Sequence, residues 1–269
     1  MEKISDVFLK YKVNKEDEGK TAERILKREF DISSSHFTTL KLSGKIFING
    51  KVCNKPAFEI LEENLIIEYL FKEKYVSLGG YKLNKAIRDF TLDVKDFICI
   101  DIGASTGGFT DCLLKNGAKK VYSVDLNDGL LHYTLKEDAR VVEVIKNVKD
   151  LTMNDFEDAP DLIVADLSFI SVSQALPIIS NLLEDDKRAI VLIKPQFETG
   201  GKIKFKNGIV RDRKIHEQAC RKVYDCALQT RLTPVNFTTA PKSSEKNTEF
   251  LMEFVKNGEK CMQFSQIKI

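Results

Sequence analysis

The stretch Asp101-Ile102-Gly103-Ala104-Ser105-Thr106-Gly107-Gly108-Phe109 decides the fold of this chain. The apolar run Phe97–Ile100 precedes it and is typical of a buried parallel strand. The segment Phe109–Leu114 follows it, with apolar residues at helical spacing. A strand, a glycine-rich turn and a helix in this order predict a ligand-binding loop at the carboxyl end of the first strand of an open α/β sheet. We expect its glycines to let the backbone approach that ligand closely.

The loop lacks one glycine of the dinucleotide-binding pattern Gly-x-Gly-x-x-Gly, because Ser105 stands at the position of the second glycine. That glycine lets the backbone reach a pyrophosphate, so its absence argues against NAD and favours S-adenosylmethionine, which has no phosphate. Asp125 ends the next predicted strand, Val121–Asp125, where it can accept hydrogen bonds from a ribose diol. The alternative interpretation is a glycine-rich surface turn followed by a solvated aspartate.

Length and composition are those of a globular protein. The chain has 269 residues, of which 43% are hydrophobic and 30% charged, enough for one large domain or two smaller ones. No apolar run approaches the roughly 20 residues that span a bilayer, and the charged start Met1–Asp6 predicts no secretory signal. The six cysteines and three histidines show no metal-ligand spacing, so we expect no metal site. We expect reduced cysteines and a cytoplasmic location.

The net charge of +2 is unevenly distributed along the chain. Residues 20–55 include eight Lys and Arg side chains against three acidic ones, and residues 202–222 include eight against two. Two basic patches on a nearly neutral protein predict a polyanion that is bound at two places. For either patch alone, solvated helix faces are the simpler interpretation.

The amino-terminal part of the chain predicts a small α+β domain. Its expected elements are a loosely ordered lead-in over residues 1–18, helices from Lys20 and after Asp31, a hairpin of Ile46–Ile48 and Lys51–Cys53 around Asn49-Gly50, and a strand Leu65–Tyr69.

Residues 44–56 follow the pattern Gly-x-Ile-x-Ile-Asn-Gly-x-Val-x-x-Lys-Pro. Together with the two preceding helices, this pattern resembles the small RNA-binding domain named after ribosomal protein S-four. The resemblance implies an RNA-binding domain over residues 1–70, although Ser33-Ser34 stands where that family usually has Ser-Arg. The basic residues expected to contact RNA are Arg24, Lys27, Arg28, Lys41, Lys45 and Lys51.

A second domain is predicted over residues 81–269, after a linker of residues 71–80 that ends in a flexible Gly79-Gly80. Its apolar strands alternate with helical segments, which predicts a Rossmann-like, doubly wound and mostly parallel sheet. Beyond the two strands named above, the expected strands are Arg140–Ile145, Asp161–Asp166, Arg188–Lys194, Pro234–Thr238 and Glu249–Val255, and the expected helices are Lys82–Asp89, Val172–Leu183 and Lys214–Thr230.

Ionisable residues end two of these apolar strands, at Asp166 and Lys194. Both are expected at the sheet edge that carries the glycine-rich loop, which is where open α/β folds bind ligands. A solvated strand end explains either residue alone, but the two together favour a functional site. Lys82 and Glu249 could converge there too, although spacing alone does not select them. The predicted cofactor contacts are Gly103, Ser105, Thr106, Gly107, Gly108, Phe109, Asp125, Asn147 and Asp166.

Five motifs occur in order over nearly the whole chain, namely Tyr75–Leu83, Asp101–Leu114, Ala165–Ser171, Lys194–Glu198 and Gly208–Asp212. Together they resemble the TlyA family of two-domain ribosomal RNA 2′-O-methyltransferases, whose catalytic domain is FtsJ-like and of the class I S-adenosylmethionine-dependent type. Some members are also called hemolysins. The resemblance implies S-adenosylmethionine as cofactor, ribosomal RNA and ribosomal subunits as partners, and a catalytic tetrad of Lys82, Asp166, Lys194 and Glu249.

Two positions depart from the pattern of that family. Leu78 replaces an arginine that is usual before Gly-Gly, and Lys246-Asn247 stands where Gly-Asn is expected before Glu249. The chemistry of ribose methylation nevertheless fits the tetrad. A 2′-hydroxyl is a poor nucleophile until its proton is accepted, so the protein must supply a base and align the reacting atoms. The expected base is Lys194 in its neutral form, oriented by Asp166.

Two other functions stay open at this point. A non-catalytic RNA-binding or ribosome-assembly factor would keep the fold, but it would not need a Lys and an Asp at the ligand edge. A membrane-active hemolysin is suggested only by the other name of the family. The sequence has neither a transmembrane span nor a long basic amphipathic helix that would support direct lysis.

Overall fold

The computed structural model describes residues 7–30, 37, 40, 44–53, 55–56, 65–71, 75–200, 208–241 and 247–269. The chain divides into two compact units. The first comprises residues 1–74 and 243–245, and the second comprises residues 75–242 and 246–269. The division near residue 75 falls inside the segment predicted as a linker.

The first unit is built on strands β1 (Val7–Lys12), β2 (Ile46–Ile48), β3 (Lys51–Val52) and β4 (Ile66–Phe71) and helix α1 (Ala22–Phe30). The strands form an antiparallel sheet in the order β1-β4-β2-β3. Ile25 and Leu26 of α1 share a fully buried core with Ile46 and Ile67 of the sheet. A helix packed on one face of a sheet is what gives this small unit a core.

Two predictions for this unit have clear outcomes. The hairpin is confirmed, because Asn49 and Gly50 have φ angles of 47° and 74°, and a two-residue turn of this type requires positive φ at both positions. The prediction of a loosely ordered lead-in over residues 1–18 is wrong for Val7–Lys12, because these residues form β1, which pairs with β4 along its whole length. That pairing joins residues far apart in sequence, so local sequence patterns do not show it. The second predicted helix lies mostly outside the described residues.

The second unit is organised around a seven-stranded sheet in the order β10-β11-β9-β8-β5-β6-β7. Neighbouring strands from β7 to β9 are parallel, whereas β11 runs antiparallel to both β9 and β10. The predicted mostly parallel, doubly wound sheet is therefore confirmed. The strands are β5 (Ile98–Ile102), β6 (Lys120–Asp125), β7 (Val141–Ile145), β8 (Leu162–Ala165), β9 (Arg188–Ile193), β10 (Leu232–Thr239) and β11 (Phe250–Lys256), and the helices are α2 (Leu78–Asp89), α3 (Gly108–Lys115), α4 (Tyr133–Lys136), α5 (Leu176–Leu182), α6 (Pro195–Glu198) and α7 (Arg213–Gln229).

Both faces of this sheet are buried, which explains why its central strands are apolar without alternation. Ile100 and Ile163 belong to the core on one face, which also contains residues of α5 and α7. Their sequence neighbours Cys99 and Leu162 belong to the core on the other face, with residues of α2 and α3. Because both faces are covered, polar side chains of this sheet are expected mainly at the ends of the strands and in the loops that follow them.

The segment 75–80 belongs to the second unit and corrects the linker prediction. Tyr75 is buried, the amide of Val76 donates to Asp111 Oδ2 at 2.9 Å, and Ser77 caps α2 by accepting from the amide of Gly79. A Cβ atom on Gly80 would lie 2.3 Å from the Tyr75 ring. The Gly-Gly pair thus allows close packing at the start of a helix, whereas the sequence interpretation took it as a source of flexibility.

Candidate active site

The glycine-rich loop joins β5 to α3 through several residues in the left-handed region. Gly103, Ser105 and Gly107 have φ angles of 84°, 49° and 90°. A Cβ atom on Gly103 would lie 2.7 Å from the backbone oxygen of Asp166, at the end of the neighbouring strand β8. Glycine at position 103 therefore lets the loop lie against the residue that the sequence predicts to be catalytic.

Asp125 lies at the end of β6, beside the same loop. Its Oδ2 accepts a hydrogen bond from the amide of Ser105 at 2.9 Å, and its Oδ1 accepts one from the amide of Asn127 at 3.1 Å. Each carboxylate oxygen retains a lone pair, so the residue can still accept hydrogen bonds from a ribose diol. A hydrogen bond of the protein itself thus holds the loop to the predicted ribose acceptor.

Asp166 and Lys194 follow β8 and β9, and their side chains meet. Lys194 Nζ lies 2.7 Å from Asp166 Oδ1 and donates to Ser168 Oγ, also at 2.7 Å. Lys194 is only 9% exposed, and burying an ammonium group is costly unless it is paired and hydrogen-bonded. The Asp166 carboxylate supplies the pairing charge, and the Ser168 hydroxyl accepts the hydrogen bond that directs the amine.

Lys82 and Glu249 form a second ion pair, with Lys82 Nζ 2.6 Å from Glu249 Oε2. Lys82 comes from α2, and Glu249 immediately precedes β11. Because β11 pairs with β9 in the register Phe250 to Ile193, Glu249 lies across from Lys194. The antiparallel direction of β11 therefore brings the start of this strand to the edge where the parallel strands end, and all four predicted tetrad residues lie at that edge.

A cavity of about 160 Å³ opens at this edge, between the glycine-rich loop and the Asp166–Lys194 pair. Its lining residues are Ser77, Gly79, Gly103, Ala104, Ser105, Thr106, Gly108, Phe109, Asp166, Ser168 and Lys194. A smaller cavity shares Ala104 and Ser105 with it and is bordered by Asp125, Asn127 and Ile145. The two cavities together extend along the edge from Asp125, at the end of β6, to Lys194, after β9.

Comparison with known proteins identifies the family. The FtsJ-like methyltransferase family matches residues 75–255, which is the greater part of the second unit. The chain belongs to this family. Hemolysin A of Brachyspira hyodysenteriae is 42% identical over 230 residues, which cover 83% of this chain and 94% of that relative. The 16S/23S rRNA (cytidine-2′-O)-methyltransferase TlyA of Mycobacterium tuberculosis (strain CDC 1551 / Oshkosh) is 36% identical over 179 residues, covering 66% and 67% of the two chains.

Solved structures agree with this assignment. A candidate hemolysin from Lactococcus lactis has 39% sequence identity and a TM-score of 0.68, covering 71% of this chain and 94% of that one. The FtsJ-like methyltransferase is thus similar to chains named for two different activities. Within the part of the chain that the structure describes, no helix is both long enough and apolar enough to cross a membrane.

The other predicted site residues fall into two groups. Asn147 lines neither of the two cavities; its side chain accepts from the amide of Lys149 at 3.0 Å and caps a short 3₁₀ turn, so its cofactor role stays a prediction. In the first unit, Lys27 pairs with Glu23 at 2.6 Å, and Arg28 pairs with the buried Asp17 at 2.7 Å. Of the remaining RNA-binding candidates, Arg24 and Lys51 are exposed, Lys45 is half-buried, and Lys41 lies outside the described residues.

Ser168, Phe169 and Phe197 lie beside the Asp166–Lys194 pair but were not among the site residues predicted from the sequence. Ser168 holds the Lys194 amine, and Phe169 is 89% exposed with a φ angle of 69°, which is strained for a bulky side chain. Its ring centroid lies 5.6 Å from that of Phe197, which follows Lys194. The signal available in sequence was the polar and aromatic run directly after Asp166, which cannot be told from an ordinary loop by spacing.

Asp101, the first residue of the loop stretch, is completely buried on β5. Its Oδ2 accepts from the amide and the hydroxyl of Thr110 at 2.9 Å and 2.7 Å, while its Oδ1 has no hydrogen-bond partner among the described residues. Burial raises the pKa of this carboxyl group to about 7, and the nearby Asp166 adds to the increase. The FtsJ-like methyltransferase therefore holds a titrating group beneath its loop.

We expect Asp101→Asn to flatten the pH dependence of stability. The pKa of Asp101 is raised to about 7 in the folded state, above the ordinary value of 3.8 that applies to the unfolded chain. The free energy of unfolding therefore falls as the pH rises between these two values. Asparagine does not titrate, and its Oδ1 still accepts from Thr110, so the variant should gain a few kcal/mol relative to the wild type over the same interval. Urea unfolding of both proteins from about pH 4 to about pH 8 measures this, and parallel stability curves would contradict it.

Proposed function

We propose that this chain transfers a methyl group from S-adenosylmethionine to a ribose 2′-hydroxyl of ribosomal RNA. The observation that carries the proposal is the ion pair of the buried Lys194 with Asp166, which borders the same cavity as the glycine-rich loop. The rRNA (cytidine-2′-O)-methyltransferase activity named for the Mycobacterium tuberculosis relative supports the substrate class. The proposal places the protein in the cytoplasm, where ribosomal subunits are its partners.

Bound S-adenosylmethionine supplies a methyl group that is already activated on a sulfonium. The loop residues Gly103–Phe109 and the carboxylate of Asp125 would hold it, which leaves the Lys194 side of the cavity for the hydroxyl. The work of the protein is then to orient the hydroxyl and to accept its proton as the carbon–oxygen bond forms. Lys194 accepts that proton when its amine is neutral, and its contacts with Asp166 and Ser168 keep the amine directed toward the substrate.

An aromatic pair of the exposed Phe169 and the half-buried Phe197, which follow the Asp166–Lys194 pair, supports RNA as the substrate. Phe169 and Phe197 follow Asp166 and Lys194 on adjacent segments, and Lys194 Nζ lies 5.9 Å from the centre of the Phe197 ring. A nearly fully exposed phenyl ring in strained backbone costs stability, and enzymes that act on a single nucleotide stack the base on such rings. We assign Phe169 to the base of the nucleotide whose ribose is methylated.

Phe169→Ala should raise the KM for RNA by about 5- to 150-fold, because stacking on an aromatic ring contributes about 1–3 kcal/mol per base. Phe169→Tyr should keep most of the affinity, and the dissociation constant for S-adenosylmethionine should stay unchanged in both variants. Leu228→Ala, which removes a 46% exposed apolar side chain of α7, is the matched control. Steady-state kinetics on RNA fragments measure this, and equal KM values for Phe169→Ala and the control would contradict it.

The first unit is proposed to dock the RNA, as its resemblance to the S-four domain implies. The support is the exposed position of Arg24 on α1 and of Lys51 at the hairpin. The ion pairs of Lys27 and Arg28 reduce the charge that these two residues offer to phosphates.

The experiment that tests the proposed function is a map of ribose methylation on ribosomal RNA from subunits incubated with the protein and S-adenosylmethionine. A new 2′-O-methyl group that depends on Lys194 supports the function. Methylation of a base instead of a ribose would reject the 2′-hydroxyl as acceptor. RNA binding without any methyl transfer would favour the non-catalytic assembly factor.

A further inference from the structure

A buried carboxylate ties together the two segments that follow Asp166 and Lys194. Glu198 ends α6, four residues after Lys194, and is only 5% exposed. Its carboxylate accepts hydrogen bonds from Ser171 Oγ at 2.5 Å, from the amide of Val172 at 2.8 Å and from Ser173 Oγ at 3.2 Å. These three donors open the short 3₁₀ turn that follows the loop after Asp166.

A lysine of α7 completes the connection. Lys222 Nζ donates to Glu198 Oε2 at 3.1 Å, to the backbone oxygen of Glu198 at 2.9 Å and to Ser171 Oγ at 2.9 Å. The ammonium group compensates the buried negative charge and fastens both segments to a long helix of the core. A buried carboxylate with this many partners is rigid, because each lost hydrogen bond would leave a buried polar group unpaired.

We propose that Glu198 is a positioning residue for methyl transfer, which sets the separation and direction of Lys194 and Asp166. The inference rests on the proposed function. The loop from Asp166 to Ser171 and the turn from Lys194 to Glu198 are both short, and Glu198 closes them into one unit. The same unit holds Ser168 against the Lys194 amine. Neither the glycine-rich loop nor Asp125 belongs to it.

The hydrogen bonds of Glu198 lie on the segments after Asp166 and Lys194, so their loss should affect methyl transfer more than cofactor binding. Loss of the Glu198 contacts lets the two catalytic side chains move relative to each other. The hydrogen bonds of the glycine-rich loop to Val124 and Asp125 do not involve Glu198 and are kept. A displacement of about 1 Å in a reacting group can cost a factor of about 100 in rate. Loss of Glu198 should therefore lower the rate of the chemical step and leave ligand affinities close to those of the wild type.

The test is Glu198→Gln, which keeps the shape of the side chain but removes its negative charge and turns one of its two acceptor oxygens into an NH₂ donor. That donor faces either the amide of Val172 or the serine hydroxyls and the Lys222 ammonium, which are themselves donors. The single-turnover rate of methyl transfer to ribosomal RNA should fall about 10- to 100-fold. The dissociation constant for S-adenosylmethionine and the KM for RNA should change by less than about threefold, which corresponds to a change in binding free energy of about RT. Lys222→Met, which removes the cation and keeps the carboxylate, should give a smaller loss in the same direction.

Glu253→Gln is the matched control, because Glu253 is also a buried and paired glutamate, with Arg188 Nη1 at 2.6 Å and Asn236 Nδ2 at 2.7 Å. It should lose stability as Glu198→Gln does but keep the wild-type rate per folded molecule. Equal rates for the two variants, or a parallel loss of cofactor affinity in Glu198→Gln, would overturn the proposal.

A crystal structure of Glu198→Gln distinguishes this inference from the proposed function. The expected result is an opened Lys194–Asp166 pair, compared with the present Nζ to Oδ1 distance of 2.7 Å. An unchanged pair would overturn the positioning role even if the wild type methylates RNA. A wild type that methylates no ribose of ribosomal RNA would reject the proposed function, while an opened pair in the variant would still support the positioning role.

Discussion

Lys194→Arg will lower the single-turnover rate of methyl transfer by at least about 100-fold, because a positioned general base contributes about 10²–10⁴ to a rate. Arginine keeps the positive charge and can still pair with Asp166, but a guanidinium stays protonated and cannot accept the proton of the hydroxyl. Lys194→Ala should lose as much rate. Cofactor and RNA dissociation constants should stay close to wild type in both variants, since neither the glycine-rich loop nor Phe169 is altered.

The measurement is single-turnover methyl transfer as a function of pH on the wild type and both variants. Lys256→Arg is the control, because Lys256 is a second buried lysine, with Nζ bonded to the backbone oxygen of Ser180 at 2.9 Å, at the opposite end of the sheet. It reports the cost of placing a guanidinium in a buried lysine site. An Lys194→Arg variant that keeps more than about a tenth of the wild-type rate would rule out Lys194 as the base.

Gly103→Ala will disrupt both the fold of the site and cofactor binding. An alanine at φ of 84° is strained, and its Cβ would lie 2.7 Å from the Asp166 oxygen and 3.2 Å from Leu167 Cδ2. The left-handed backbone costs about 1–2 kcal/mol, and overpacking adds about 1–3 kcal/mol, so we expect a loss of about 2–5 kcal/mol of stability. Because backbone atoms must shift, the affinity for S-adenosylmethionine should fall at least about 10-fold, which corresponds to 1.4 kcal/mol.

The control variant Gly208→Ala separates the cost of left-handed backbone from the cost of overpacking. Gly208 has a φ of 70°, but a Cβ there would meet no atom of the described residues within 4 Å. This control should lose only about 1–2 kcal/mol and no cofactor affinity. Thermal unfolding and calorimetric titration with S-adenosylmethionine measure both quantities. Equal losses in the two variants would mean that contact with the Asp166 segment is not what requires glycine at position 103.

The sequence alone predicts where a site residue lies when that position follows from the direction of its strand. Asp166 and Lys194 each end an apolar run, and parallel strands that end at one edge must bring such residues together. Lys82 and Glu249 could not be selected in this way, since one lies on a helix and the other begins a strand. Only the antiparallel register of β11 with β9 brings Glu249 to the site, and register is set by pairing across the sheet.

Other features depend on contacts that local patterns do not encode. The Gly-Gly pair before Lys82 has the composition of a flexible linker, but its role is to fit against Tyr75 and the start of α3. Glu198 resembles any acidic residue after a strand until its three donors around Ser171 are seen. Phe169 is not distinguishable from a core phenylalanine by sequence alone, and its exposure is a property of the folded loop.

The pairing of each tetrad lysine with a carboxylate affects how RNA reaches the enzyme. With Lys194 matched by Asp166 and Lys82 matched by Glu249, the four groups have no net charge between them, and their field fades within a few ångströms of the surface. These four groups therefore contribute little attraction or repulsion to a nucleic acid that is still at a distance. Capture from a distance falls to cations elsewhere on the surface, while the edge acts only on a nucleotide already in contact with it. RNA association and methyl transfer thus depend on different residues. Added salt should weaken RNA binding without lowering the rate of the methyl-transfer step.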